Sequence, residues 1–92
     1  MLVKVRFAGL FRRYAGEQVK TFNVPDGSCS ADLLRLIGEE YGGRLPPGLW
    51  DAETNRFHRS VRLARLGSGS LDAAETLSEE DEILVIFALA GG

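Results

Sequence analysis

Two apolar β segments lie at opposite ends of this 92-residue chain, and their placement limits the folds available to it. In Leu2-Val3-Lys4-Val5-Arg6-Phe7, the residues Val3, Val5 and Phe7 share one face while Lys4 and Arg6 take the other. That alternation is the period of a half-buried strand. Glu82-Ile83-Leu84-Val85-Ile86-Phe87 is apolar on both faces, the pattern of a central strand. Two such strands are best buried side by side, so everything between them has to cross over or flank the pair.

The intervening sequence supplies the crossover. Ala8 to Gly16 holds Leu10, Phe11 and Tyr14 at helical spacing, enough for a turn or two. Gln18 to Val24 reads as a second strand, ended by the turn-forming Pro25-Asp26-Gly27. The main helix is predicted over Asp32–Tyr41, capped by Ser28 or Ser30, with Leu33, Leu34, Leu36, Ile37 and Tyr41 as its apolar stripe. Gly42-Gly43 is expected to end it through a left-handed residue, and Gly38 weakens its last turn. Arg44 to Arg59 has no clear period around Pro46-Pro47-Gly48. It reads as a loop with a short helical turn, with Trp50 anchoring it over the core. Val61 to Leu66 is a third strand closed by Gly67-Ser68-Gly69, Leu71 to Leu77 a short edge strand or turn, and Ser78 to Asp81 a charged turn.

This order describes one α+β domain over residues 1–92. Its expected architecture is the ubiquitin-like β-grasp, a mixed sheet of about four or five strands with one main helix on one face. A single helix covers one sheet face only. One of the triplets Ile83/Val85/Phe87 and Leu84/Ile86/Ala88 therefore meets the helix. The other meets solvent, the Leu49–Phe57 loop or a partner, and an exposed apolar patch of that kind marks an interaction surface.

Composition removes several alternatives. One cysteine, Cys29, excludes an internal disulfide framework, and one histidine, His58, excludes a two-histidine site within the chain. A net charge of −2 makes no electrostatic case for nucleic acid. No apolar run reaches the roughly 20 residues of a membrane span, and the N-terminus has no signal-peptide core. A soluble, cytoplasmic protein is expected. Cys29 reads as a small, buried or half-buried residue at the helix start, outside any site. His58, with Arg56, Arg59, Arg62 and Arg65, reads as a solvated basic strand edge. The acidic residues Asp72, Glu75, Glu79, Glu80, Asp81 and Glu82 have no basic neighbour in sequence and read as solvated surface, able to steer a basic partner. Gly67-Ser68-Gly69-Ser70 lacks the lysine and helix of a phosphate loop.

The hydrophobic last strand after an acidic turn, ending in Ala90-Gly91-Gly92, resembles the sulfur-carrier branch of the ubiquitin-like proteins, the MoaD/ThiS family. The stretch Lys4 to Arg13 through Gly16 is similar to the opening of molybdopterin synthase small subunits (MoaD), and Gly27 to Leu34 to their entry into the main helix. Glu80-Asp81-Glu82-Ile83 stands where that family has a Gly-Asp-Glu turn. Ala88-Leu89-Ala90-Gly91-Gly92 replaces a tail that often carries proline, and Gly67-Ser68-Gly69-Ser70 replaces an Asn-Gly hairpin.

The resemblance implies that Gly92 is the functional residue, its carboxylate adenylated and converted to a thiocarboxylate. Gly91, Ala90, Leu89 and Phe87 would form the tail and the partner-binding surface. It implies a carrier co-substrate rather than an enzyme, with no stably bound cofactor and with ATP used by the activating enzyme. The implied partners are a ubiquitin-activating-type adenylyltransferase, a larger catalytic synthase subunit and a sulfur donor enzyme, with no nucleic acid and no membrane. Molybdopterin biosynthesis is the expected pathway. Cysteine or thiamine biosynthesis, protein modification and a plain interaction domain are the alternatives.

Overall fold

Val3, Val5 and Phe7 are buried while Leu2 and Lys4 are exposed, and this alternation makes Leu2–Phe7 the first strand, β1. The computed structural model describes residues 1–87. A short helix, α1 (Gly9–Ala15), follows and stops at Gly16, whose φ of 75° is open to glycine. It buries Phe11, which stacks on Phe7 with ring centroids 5.7 Å apart. Strand β2 (Val19–Asn23) returns antiparallel to β1, with Val3 opposite Phe22.

Helix α2 spans Ser30–Tyr41 and buries Leu33, Ile37 and Tyr41, one face at a spacing of four. Its cap differs from expectation. Ser28 donates its hydroxyl to the Pro25 carbonyl at 2.7 Å, and Ser30 already lies in the first turn, so Cys29 holds the N-cap position. The end differs too. Gly42 is right-handed, with φ −54°, and the chain continues as a 3-10 turn over Gly42–Arg44. Gly38 and Gly42 meet Trp50 instead. A Cβ at Gly38 would lie 2.6 Å from Trp50 Cζ3, and one at Gly42 2.6 Å from Trp50 Cε2. These two glycines, four residues apart, form a flat seat for the indole.

Trp50 thus anchors its segment as expected, but that segment is more ordered than a loop. Strands β3 (Trp50–Asp51) and β4 (Arg56–Phe57) form a two-stranded hairpin pairing Trp50 with Phe57. The Asp51 carboxylate accepts the Glu53 N–H at 2.9 Å, and Asn55 turns the chain with φ 54°. Strands of two residues have no period to read. Beyond them come β5 (Val61–Arg65), β6 (Gly69–Ser70) and β7 (Glu82–Phe87). The short edge strand β6 lies just before Leu71, and Thr76 bridges Cys29.

The main sheet has the order β2-β1-β7-β5-β6. Strands β1 and β7 are parallel and central, with Val5 beside Ile83 and Phe7 beside Val85, as their apolar patterns predict. A parallel pair needs a long connection, and α2 lies within it. Its buried side chains join Val3, Val5, Phe7, Val61, Leu63, Ile83 and Val85 in a single core. This is the ubiquitin-like β-grasp.

Candidate functional site

Phe87 is the last described residue, and its backbone ends β7 opposite Val61. Gly92, Gly91, Ala90 and Leu89 lie outside the described residues, as does the side chain of Phe87. What is defined is the strand that leads to them and the sheet face on either side.

The two faces of β7 divide as the pattern requires. Ile83 and Val85 are buried in the core, while Leu84 and Ile86 are half-buried on the other side. There the register sets Leu84 between Arg6 and Ala64, Ile86 beside Arg62, and Glu82 beside Lys4. Arg6 donates to Glu82 at 3.0 Å. The Trp50–Phe57 hairpin sits on α2, not on this face, so it does not cover Leu84 and Ile86. The result is a small apolar centre framed by Lys4, Arg6 and Arg62.

The acidic stretch departs from expectation. It is not a uniformly solvated run, because β5 brings Arg65 into its middle. Arg65 Nη2 donates to Asp81 at 3.0 Å and to the Thr76 carbonyl at 3.0 Å, and Nη1 lies 3.5 Å from Glu75. Asp81 in turn accepts the Ser78 N–H at 2.8 Å, and Glu79 accepts the N–H of Leu2 at 3.3 Å. The Arg65 and Asp81 side chains are only 22% and 12% exposed, so this pair holds the turn into β7 rather than dressing the surface. Ten to sixteen residues separate Arg65 from its partners, and no local sequence signal joins them. Glu79 and Glu80 remain exposed beside β7.

Arg65 therefore does not belong to a basic edge with His58. The exposed His58 accepts the Ser60 N–H on Nδ1 at 3.2 Å and shapes the turn into β5. Cys29, half-buried as expected, donates its thiol to Asp32 at 3.3 Å, and its N–H reaches the same oxygen at 3.0 Å. Those bonds hold the Asp32 carboxyl below its ordinary range. Burial, reinforced by a hydrogen bond to Glu17, pushes the Tyr41 phenol upward. Among the described residues, no group of three or more His, Cys, Asp or Glu could hold a metal ion, and no helix is long and apolar enough to cross a membrane.

The architecture defines a class, the ubiquitin-like β-grasp proteins. Solved structures that share it include small archaeal modifier protein 1 (SAMP1) from Haloferax volcanii, at 14% identity over all of both chains with a TM-score of 0.78. A Pyrococcus furiosus protein named as a molybdopterin converting factor, subunit 1, matches at 22% identity, covering 97% of this chain and 99% of its own, with a TM-score of 0.73. CysO from Mycobacterium tuberculosis matches at 18% identity over 95% and 99%, with a TM-score of 0.60. No family model and no curated protein sequence matches the chain.

Proposed function

We propose that this protein is a ubiquitin-like sulfur carrier of the MoaD/ThiS type, and that its working atom is the carboxyl carbon of Gly92. One observation carries the reading: the central parallel strand β7 is followed in the sequence by Ala88-Leu89-Ala90-Gly91-Gly92. The likeness to a molybdopterin converting factor subunit supports a role in molybdopterin biosynthesis, as the small, non-catalytic partner of a larger synthase subunit.

A free carboxylate is a poor electrophile. Its attack on the α-phosphate of ATP, in the active site of an adenylyltransferase, forms an acyl-adenylate and releases pyrophosphate. Attack by sulfide then forms the C–S bond as the bond to AMP breaks, leaving a thiocarboxylate able to donate sulfur. Glycines suit a narrow enzyme channel because they present no Cβ. The chain itself supplies a docking face, centred on Leu84 and Ile86, and the reacting terminus.

The test is intact-mass spectrometry after incubation with an activating enzyme, MgATP and a sulfur source. The full chain should gain the mass difference of sulfur over oxygen. Deleting Gly92, or adding one residue after it, should abolish the gain without altering thermal unfolding. One residue displaces the carboxyl by roughly 3.3–3.6 Å along an extended chain, and misplacement by about 1 Å can cost ~100-fold in rate. Sulfuration of the truncated chain at the normal rate would overturn the proposal. The likeness to SAMP1 favours one further reading, attachment of Gly92 to lysine as a protein modifier. Lysine adducts carrying the tail would distinguish it.

A further inference from the structure

We propose that the groove between α2, the β3–β4 hairpin and the outer edge of β5 binds an extended acidic peptide segment carrying a bulky apolar side chain. The groove has a volume of about 630 Å³ and lies on the helix side of the sheet, away from Leu84 and Ile86. Its apolar floor includes Leu34, Trp50, Phe57 and Leu71, the first three only half-buried. Arg35, Arg56 and Arg59 line it, against a single carboxylate, Asp72. The chain as a whole is net negative, so this concentration of positive charge runs against the overall balance.

Arg56 and Arg59 have no ion-pair partner among the described residues, and Arg35 approaches Asp32 only to 3.9 Å. Guanidinium groups match carboxylates as two-point donors. The groove offers little to a phosphate beyond that. The amides at the start of α2 are already committed, Ser30 N–H to the Glu75 carbonyl at 2.8 Å and Ala31 N–H to the Ala73 carbonyl at 2.9 Å. No amide cradle of the helix-terminus kind is left for an anion there. The backbone points to an extended ligand. Strand β6 pairs only with Ala64 and Arg65. Beyond it the Val61 N–H is taken by the His58 carbonyl and the Leu63 carbonyl by the Leu71 N–H, each at 2.9 Å, which leaves the Val61 carbonyl and the Leu63 N–H as the outward backbone groups of β5. A peptide strand can add to such an edge, with its apolar side chain in the groove and its carboxylates on the arginines.

Trp50, the single tryptophan, is a built-in reporter. The probe is the blocked synthetic peptide Glu-Asp-Leu-Phe-Glu-Asp, titrated into the full chain and followed by Trp50 fluorescence and amide NMR shifts. Saturable binding is expected, with shifts confined to Ala31–Arg35 and Arg56–Leu63. Arg56→Glu with Arg59→Glu should weaken it about tenfold or more, as should high salt. Both side chains are exposed, so unfolding temperature should hold. The counterpart with lysine at every acidic position should not bind. Equal affinity for the charge-reversed chain or for the lysine peptide, shifts centred on Leu84 and Ile86, or preferential occupancy by a short RNA oligonucleotide would each overturn the proposal. None of these readouts depends on the chemistry of Gly92.

Discussion

Cys29 occupies a position that favours serine, threonine, aspartate or asparagine, and it works there through Asp32. The Asp32 carboxylate collects the N–H and the thiol of Cys29 and lies in the first turn of α2. A carboxylate so placed also complements the positive end of the helix dipole. Its pKa is lowered from the ordinary 3.8, first by the bond from the Cys29 backbone and then by the thiol. A group depressed in the folded state stabilises above its unfolded pKa, and that contribution fades as pH falls through the lower folded value. Chemical denaturation as a function of pH should therefore show Asp32→Asn less stable than the parent at neutral pH. The deficit should narrow below the ordinary carboxylate range. Cys29→Ser, a better N-cap, should raise stability by several tenths to about 1 kcal/mol.

At the scale of elements, the hairpin and α2 depend on one contact. Trp50 lies against the backbone at Gly38 and Gly42 and meets Phe57 edge-on at 5.1 Å, while Phe57 reaches Phe11 at 5.7 Å. Alanine would be the better helix former at Gly38 by about 1 kcal/mol, yet its methyl would press 2.6 Å from a packed indole. Overpacking costs typically 1–3 kcal/mol, so Gly38→Ala should be neutral to destabilising by about 2 kcal/mol, with a red-shifted Trp50 emission as the ring is displaced. In a Trp50→Leu background the same change should turn stabilising. Additivity of the two changes in urea unfolding would show that the seat is not what the glycine is for.

The whole molecule presents two unlike surfaces. The helix side carries the arginine-lined groove, and the opposite sheet face carries Leu84 and Ile86 inside a frame of Lys4, Arg6 and Arg62. The proposed activating enzyme should use the second. Leu84→Asp or Ile86→Asp should weaken its binding about tenfold, ~1.4 kcal/mol, as measured by calorimetry. Both side chains are only half-buried, so thermal unfolding run in parallel should show a modest loss at most. Full affinity in both variants would remove this face from the interface. Glu79 and Glu80, exposed beside it, are placed to steer a basic surface, whereas Glu75 and Asp81 are held by Arg65.

Patterning within a few residues determined most of this architecture: the alternation in β1, the two-faced apolar run in β7 and the stripe of α2 already required a central parallel pair under one helix. Those signals are local and periodic, so they survive in the sequence. The Gly-Gly tail was visible as a motif, and the chemistry proposed for it rests on a resemblance. Three features were decided only by tertiary structure. Gly38 and Gly42 look like weak or terminating helix positions until Trp50 arrives from eight residues beyond the second of them. Arg65 finds Asp81 only because β5 and β7 pair. The groove exists because a hairpin too short to show a period folds back over α2. In each case the partners are distant in sequence, and the contact depends on the shape of the packed whole rather than on any repeat along the chain.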